Sequence, residues 1–322
     1  MIWNKEMECA DRETMRALQL EKLKKTVKYE YDNVPYYRKK MDDAGVKPED
    51  IKSLDDIRKL PFTTKEDLAV NYPRGLFAAK NEDIIRIHAS SGTTGKPKVA
   101  GYTQNDLDIW GECVARALTC AGQDNTSIVQ VAYGYGLFTG GLGAHIGAET
   151  IGATVIPMSS GNTKKQIMFM QDLKSTALAC TPSYALTIAE GVAKEGIDTE
   201  TLPLKAGVFG AEPWTQGMKE SIEKGLGIKA YDIYGLTEII GPGVSISCDE
   251  NNGMHVQEDY FYPEIIDPET LEPLPDGQIG ELVFTTLGKE GFPMIRYRTR
   301  DLCYLMREKC GCGRTNVRMR KI

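Results

Sequence analysis

Residues 90–98 read SSGTTGKPK, with two serines, two threonines, two glycines and two lysines in nine positions. Glycines let successive backbone N–H groups turn toward a ligand, and hydroxyls and ammonium groups add donors. Such a loop can wrap a polyphosphate. It is not the common G-x-x-x-x-G-K-[ST] pattern, because Gly92 and Gly95 stand only three apart and Pro97 follows Lys96. The same composition also makes a surface turn. What accompanies the loop must separate the two readings.

The surrounding chain supplies a frame. Between 84 and 235, short apolar runs recur: IIRIHA, SIVQVA, ATVIPM, TALACT, KAGVFG and IKAYDIYG. Helix-length segments at 105–121, 163–174, 183–195 and 214–225 separate most of them. This alternation predicts an α/β fold with a largely parallel sheet flanked by helices, and ligands gather at the carboxyl ends of such strands. The Ser/Thr/Gly loop follows IIRIHA, GAEPW follows AGVF, and YGLTE follows AYDI. That shared position points to a nucleotide site.

Residues 1–80 read as a polar helical segment, with Leu20, Leu23, Val27 and Tyr31 on one face. In TTKEDL, Thr63 and Glu66 form an expected capping box. Residues 81–250 form the α/β core. Residues 251–322 read as a smaller β-rich subdomain built on YFYPEIIDP, GELVFTTL and DLCYLM.

Composition excludes several classes. The 322 residues are 41% hydrophobic and 26% charged, with net charge −6. That describes a globular chain and argues against nucleic-acid and anionic-membrane partners. The N-terminus MIWNKEMECADRET has no apolar h-region, and His145 and Glu149 interrupt the most apolar long stretch. A cytoplasmic location is expected, with the eight cysteines as thiols or metal ligands rather than a disulfide framework.

SSGTTGKPK, YGLTE and RYRTRD together resemble the phosphate-loop, magnesium-glutamate and ribose-aspartate motifs of the adenylate-forming enzymes, which include acyl-CoA synthetases, adenylation domains and luciferases. VPYYRKKM, LPFTTKEDL, YPRGLFA, DIYGLTEIIGPGVS, EDYFYPEIIDPET and RYRTRDL are similar to the phenylacetate–coenzyme A ligase branch. The resemblance runs from near residue 15 to the last residue. It implies ATP-dependent activation of an aryl-acetic acid to an acyl-adenylate and then an acyl-CoA, with ATP/AMP, Mg²⁺ and coenzyme A as cofactors. A homodimer is also implied.

The residues suit that chemistry. In-line attack of a carboxylate on an α-phosphate needs charge neutralisation, a metal and a fixed nucleoside. Ser90, Ser91, Gly92, Thr93, Thr94, Gly95 and Lys96 can hold phosphates. Glu238 is a hard oxygen ligand for Mg²⁺, the role of the family's matching Glu. By the same resemblance Asp301 accepts both ribose hydroxyls. It follows Arg300, where most of the wider superfamily has Gly; the phenylacetate branch shares RTRD. Arg298 and Arg300 read equally as structural ion-pair partners.

Gly210, Ala211, Glu212 and Pro213 resemble the segment lining the adenine and acyl pocket. Asp232, Ile233, Tyr234, Gly235 and Thr237 complete the nucleotide set, with Tyr234 offering a stacking face. VAYGYGLFTGG resembles the acid-pocket segment. Tyr133, Tyr135, Phe138, Gly140 and Gly141, with Ala211, form an expected aromatic slot, its glycines leaving room for a ring.

One cluster is not explained by adenylation. Cys248 and His255 lie seven apart, and Cys310 and Cys312 two apart in a Gly-rich knuckle. A Cys₃His set is a structural zinc type; the alternative is four unrelated residues. Cys9, Cys113, Cys120, Cys180 and Cys303 read as small apolar residues.

The chain ends at RMRKI. Similar enzymes continue into a C-terminal domain that carries a catalytic Lys, and no residue here matches it. The expectation is a chain that binds ATP and acid but turns over poorly. Rival expectations are activation of indoleacetate, benzoate or a deazaflavin cofactor, and a nucleotide-binding scaffold or sensor.

Overall fold

The computed structural model describes residues 1–90 and 96–321. It groups into two compact units. One comprises Met1–Trp3, Trp110–Leu236 and Gly241–Met254, the other Asn4–Ile109, Thr237–Ile240 and His255–Ile322. In chain order the strands are β1 (Arg86–Ala89), β2 (Val99–Tyr102), β3 (Ile128–Val131), β4 (Thr154–Ile156), β5 (Ala177–Cys180), β6 (Ala206–Gly210), β7 (Lys229–Leu236), β8 (Gly241–Ser247), β9 (Met254–Val256), β10 (Phe261–Ile266), β11 (Gly280–Thr286), β12 (Tyr297–Met306) and β13 (Arg318–Lys321).

In the first unit, β4, β3, β5, β6 and β7 lie side by side in that order and run parallel, with β8 antiparallel beside β7. ALAC and AGVFG are buried along their whole length, as parallel strands covered on both faces must be. Helices Thr163–Asp172, Pro182–Lys194 and Gln216–Leu226 connect them. Ile167, Ile188, Ile222 and Leu226 pack with Leu178 and Phe209 in one apolar core.

A further helix, Gly140–Thr150, is absent from the sequence reading. Its glycines lower intrinsic helicity, but they admit close packing. A Cβ at Gly147 would lie 2.3 Å from the Val114 side chain, and one at Gly143 2.6 Å from the Trp110 ring.

In the second unit, helices Arg12–Asn33 and Pro35–Asp43 bury Leu23, Val27, Tyr37 and Met41. Strands β10 to β13 form an antiparallel array. Two local expectations are corrected. The N-cap of helix Lys65–Val70 is Thr64, boxed with Asp67. Thr63 is instead fully buried: its N–H donates to the Arg296 carbonyl at 3.0 Å, and its own carbonyl accepts from Arg298 at 2.9 Å. Strand β1 does not enter a parallel sheet. Among the described residues it pairs with β2, antiparallel, so Ser90 and Lys98 flank the two strands of a hairpin rather than a parallel strand. Among the described residues, no helix is long and apolar enough to cross a membrane.

Candidate active site

The hairpin fixes the two feet of the phosphate-type loop. Ser90 N–H donates to the Lys98 carbonyl at 3.0 Å, and Lys98 N–H donates to Ser90 Oγ at 3.2 Å. Ser91, Gly92, Thr93, Thr94 and Gly95 lie outside the described residues. Lys96 Nζ sits over the Tyr72 ring, 5.2 Å from its centroid.

Glu238 lies in the turn Thr237–Ile240 that joins β7 to β8. Its side chain is only 5% exposed, and Oε1 receives Lys98 Nζ at 2.9 Å and the Tyr297 hydroxyl at 2.8 Å. The turn's backbone is braced as well. Lys289 Nζ donates to the Glu238 carbonyl at 3.3 Å, and the Tyr102 hydroxyl donates to the Ile240 carbonyl at 3.0 Å. Burial pushes Lys289 down to about 8, against the opposing pull of Asp106, Glu238 and Glu30. Burial, then the neighbouring Glu238, pushes the Tyr297 phenol well up. A buried carboxylate oriented by two donors, with lone pairs remaining, fits a hard divalent cation.

Asp301 is half-buried on β12, its N–H donating to Thr299 Oγ1 at 3.0 Å. The nearby arginines are engaged in ion pairs. Buried Glu281 holds Arg298 at 2.6 Å and Arg300 at 3.6 Å.

In the first unit, GAEPW leaves the end of β6. Ala211 takes φ 74°, a left-handed conformation unusual for a residue with a Cβ. Glu212 Oε1 accepts from Ser183 N–H at 2.7 Å, capping the first turn of helix Pro182–Lys194. Pro213 follows. Asp232 N–H donates to Ser247 Oγ at 2.7 Å, Ile233 and Tyr234 are buried on β7, and Gly235 lies at a register shift between β7 and β8. Thr237 is buried in the following turn.

Tyr133 is buried. Burial drives its phenol well up, with Cys180, Asp232 and Glu212 adding and a backbone hydrogen bond at Gly210 opposing. VAYGYGLFTGG and GAEPW therefore meet. The Tyr135 hydroxyl lies 3.1 Å from His145 Nδ1, and His145 Nε2 lies 3.1 Å from Glu149 Oε1. Burial first, then Glu149, pushes the Tyr135 phenol up to about 12. Phe138 is 44% exposed. A Cβ at Gly140 would meet the Tyr133 ring at 3.1 Å, and one at Gly141 the Gly134 carbonyl at 2.7 Å.

Of the cysteine–histidine set, His255, Cys310 and Cys312 converge in the second unit, with ligand atoms within 4.8 Å of one another. Cys312 Sγ lies 3.4 Å from His255 Nε2, while His255 Nδ1 faces the Asn316 carbonyl at 3.4 Å. Such an outer partner fixes a metal-binding tautomer. Cys248 is buried on the Gly241–Met254 segment of the first unit.

The sequence reading missed Lys98, Tyr102, Lys289 and Tyr297. Lys98 and Tyr297 stand inside the quoted motifs SSGTTGKPK and RYRTRD.

Comparisons with known proteins identify the family and the fold. The family model described as AMP-binding enzyme matches residues 8–288. Phenylacetate-coenzyme A ligase of Thermus thermophilus is 53% identical over 320 residues, covering 99% of this chain and 72% of that protein. The Escherichia coli protein of the same name is 54% identical over 318 residues, covering 98% and 72%. A solved structure of 2-hydroxyisobutyryl-CoA ligase, in complex with 2-HIB-AMP and CoA, superposes with TM-score 0.92 at 30% identity, covering 97% of this chain and 68% of that one.

Proposed function

Because this chain belongs to the AMP-binding enzyme family, with the α/β fold of adenylate-forming enzymes, we propose that it activates phenylacetate with ATP and passes the acyl group to coenzyme A. A phenylacetate carboxylate oxygen attacks the α-phosphorus, forming an acyl–oxygen–phosphorus bond as pyrophosphate leaves. The coenzyme A thiolate then attacks the acyl carbon, and AMP departs. The observation that carries the reading is buried Glu238, held by Lys98 and Tyr297 at the foot of the Ser/Thr/Gly loop, in a chain whose relatives are phenylacetate-coenzyme A ligases.

Each residue has a role in this reading. Ser90, Ser91, Gly92, Thr93, Thr94, Gly95 and Lys96 hold the β- and γ-phosphates. Glu238 holds Mg²⁺, which when bound neutralises phosphate charge. Asp301 fixes the ribose. Gly210, Ala211, Glu212, Pro213, Asp232, Ile233, Tyr234, Gly235 and Thr237 line the nucleoside, and Asp232 accepts from the adenine amine. Tyr133, Tyr135, Phe138, Gly140 and Gly141, with Ala211, receive the aryl ring. His255, Cys310 and Cys312 hold a structural zinc ion, and Cys248, seven residues before His255, is its fourth ligand. The same reading places the enzyme in the cytoplasm, as a homodimer that light scattering tests.

The substrate test is a binding panel of sulfamoyl-adenosines carrying phenylacetyl, indoleacetyl or benzoyl groups. Tightest binding of the phenylacetyl compound is expected. A preference for either other acid moves the substrate assignment to that acid.

A further inference from the structure

We propose that Lys98 is the counter-ion of Glu238 in the metal-free protein, and that the arriving divalent cation displaces it toward the nucleotide's polyphosphate. The inference rests on Glu238 being the metal ligand.

An ionised carboxylate that is 5% exposed needs a compensating charge, and Lys98 Nζ supplies it at 2.9 Å. A divalent cation bound to that carboxylate sits about 2.1 Å from its oxygen. An ammonium group left in place would then stand within about 4 Å of the cation, where like charges repel strongly even at intermediate dielectric. One of the two must leave.

Three neighbours could yield, and their surroundings decide between them. The Tyr297 hydroxyl is neutral and can stay on Oε1. Lys289 is fixed: it donates to the main-chain carbonyl of Glu238 and lies over the rings of Tyr102 and Phe292, at 5.3 and 5.1 Å. Lys98 is free to swing. Its side chain is 27% exposed, while its backbone is pinned to Ser90 at the foot of the loop. A long flexible stem on a fixed backbone lets the ammonium exchange one oxyanion partner for another nearby. Metal binding and lysine release are thereby one event, and metal-free nucleotide is denied a donor.

The experiment is calorimetric titration of α,β-methylene-ATP into the wild-type chain, Lys98→Met and Glu238→Gln, each with Mg²⁺ and with EDTA. Lys98→Met should lose about tenfold in affinity with Mg²⁺, the worth of a charge-assisted hydrogen bond, and almost nothing in EDTA. Glu238→Gln should lose most of its Mg²⁺ dependence and bind the metal-free nucleotide more tightly than wild type, because Lys98 is already released. An equal loss for Lys98→Met with and without Mg²⁺ overturns the exchange, and a Glu238→Gln protein without Mg²⁺ dependence then leaves the metal assignment standing. Full Mg²⁺ dependence in Glu238→Gln overturns both.

Discussion

The Tyr297 hydroxyl donates to Glu238 Oε1 at 2.8 Å, tying strand β12 to the turn that carries the acid. Among the described residues, it is the neutral donor on that oxygen, and in the proposed exchange it stays in place when a cation arrives. Tyr297→Phe should therefore lower stability by about 1 kcal/mol. It should also weaken the Mg²⁺-dependent part of nucleotide binding about fivefold, leaving binding in EDTA unchanged. Urea titration and calorimetry read the two effects separately.

Asp301→Asn keeps the shape of the side chain and removes its charge. In the proposed role the variant loses charge-assisted bonds to the ribose, so AMP should bind about tenfold more weakly. The half-buried position predicts an unchanged melting temperature. A fall in melting temperature with AMP affinity preserved would assign Asp301 to the fold.

Glu30 has both carboxylate oxygens buried with no hydrogen-bond partner among the described residues, and burial drives its pKa well above the usual value of 4.5. A raised carboxyl pKa means the folded state holds the proton more tightly than the unfolded state. The associated stability is full below the unfolded value and is lost as pH rises toward the folded one. Glu30→Gln escapes that loss. The variant's advantage over wild type should grow from pH 5 toward pH 8, reaching about 2 kcal/mol by denaturant unfolding. A constant difference across that range would contradict the assignment.

Zinc content is directly countable. Mass spectrometry of the purified chain should find about one zinc per chain, and Cys312→Ser or His255→Ala should abolish it. Loss of the ion should cost on the order of 3 kcal/mol or more of folding stability, since metal binding is coupled to folding. Stoichiometric zinc in Cys312→Ser would reject this ligand set.

Glu281 is buried and grips Arg298 through two short hydrogen bonds, 2.6 and 3.1 Å. Removing one partner leaves a buried charge. Glu281→Leu should therefore destabilise by about 3–5 kcal/mol, with nucleotide affinity unaffected at temperatures where the variant is folded.

Much of this was legible in the sequence. The alternation of TALACT, KAGVFG and IKAYDIYG with helix-length segments predicts the parallel strands β5, β6 and β7, because strand and helix periodicities differ and parallel strands need helical crossovers. Motif letters singled out Glu238 and Asp301 as candidates. Four things were not legible. Strand β1 has the same apolar signature whether it joins a parallel sheet or a two-stranded hairpin, so the sheet context of the loop was misassigned. Helix Gly140–Thr150 depends on tertiary contact between glycines and the Trp110–Val114 face, which outweighs propensity. The capping residue moved by one position because Thr63 has a stronger use pairing with Arg296 and Arg298. Lys98, Tyr102 and Lys289 converge on one turn from distant parts of the chain, and no local pattern announces that.

The most direct test of the central claim is a calorimetric titration of this chain with phenylacetyl-sulfamoyl-adenosine beside unacylated sulfamoyl-adenosine. Burying a phenyl ring adds about 2 kcal/mol, so the acylated compound should bind about thirtyfold more tightly. Equal binding of the two compounds would show that no aryl-acid pocket accompanies the nucleotide site, and would contradict the account.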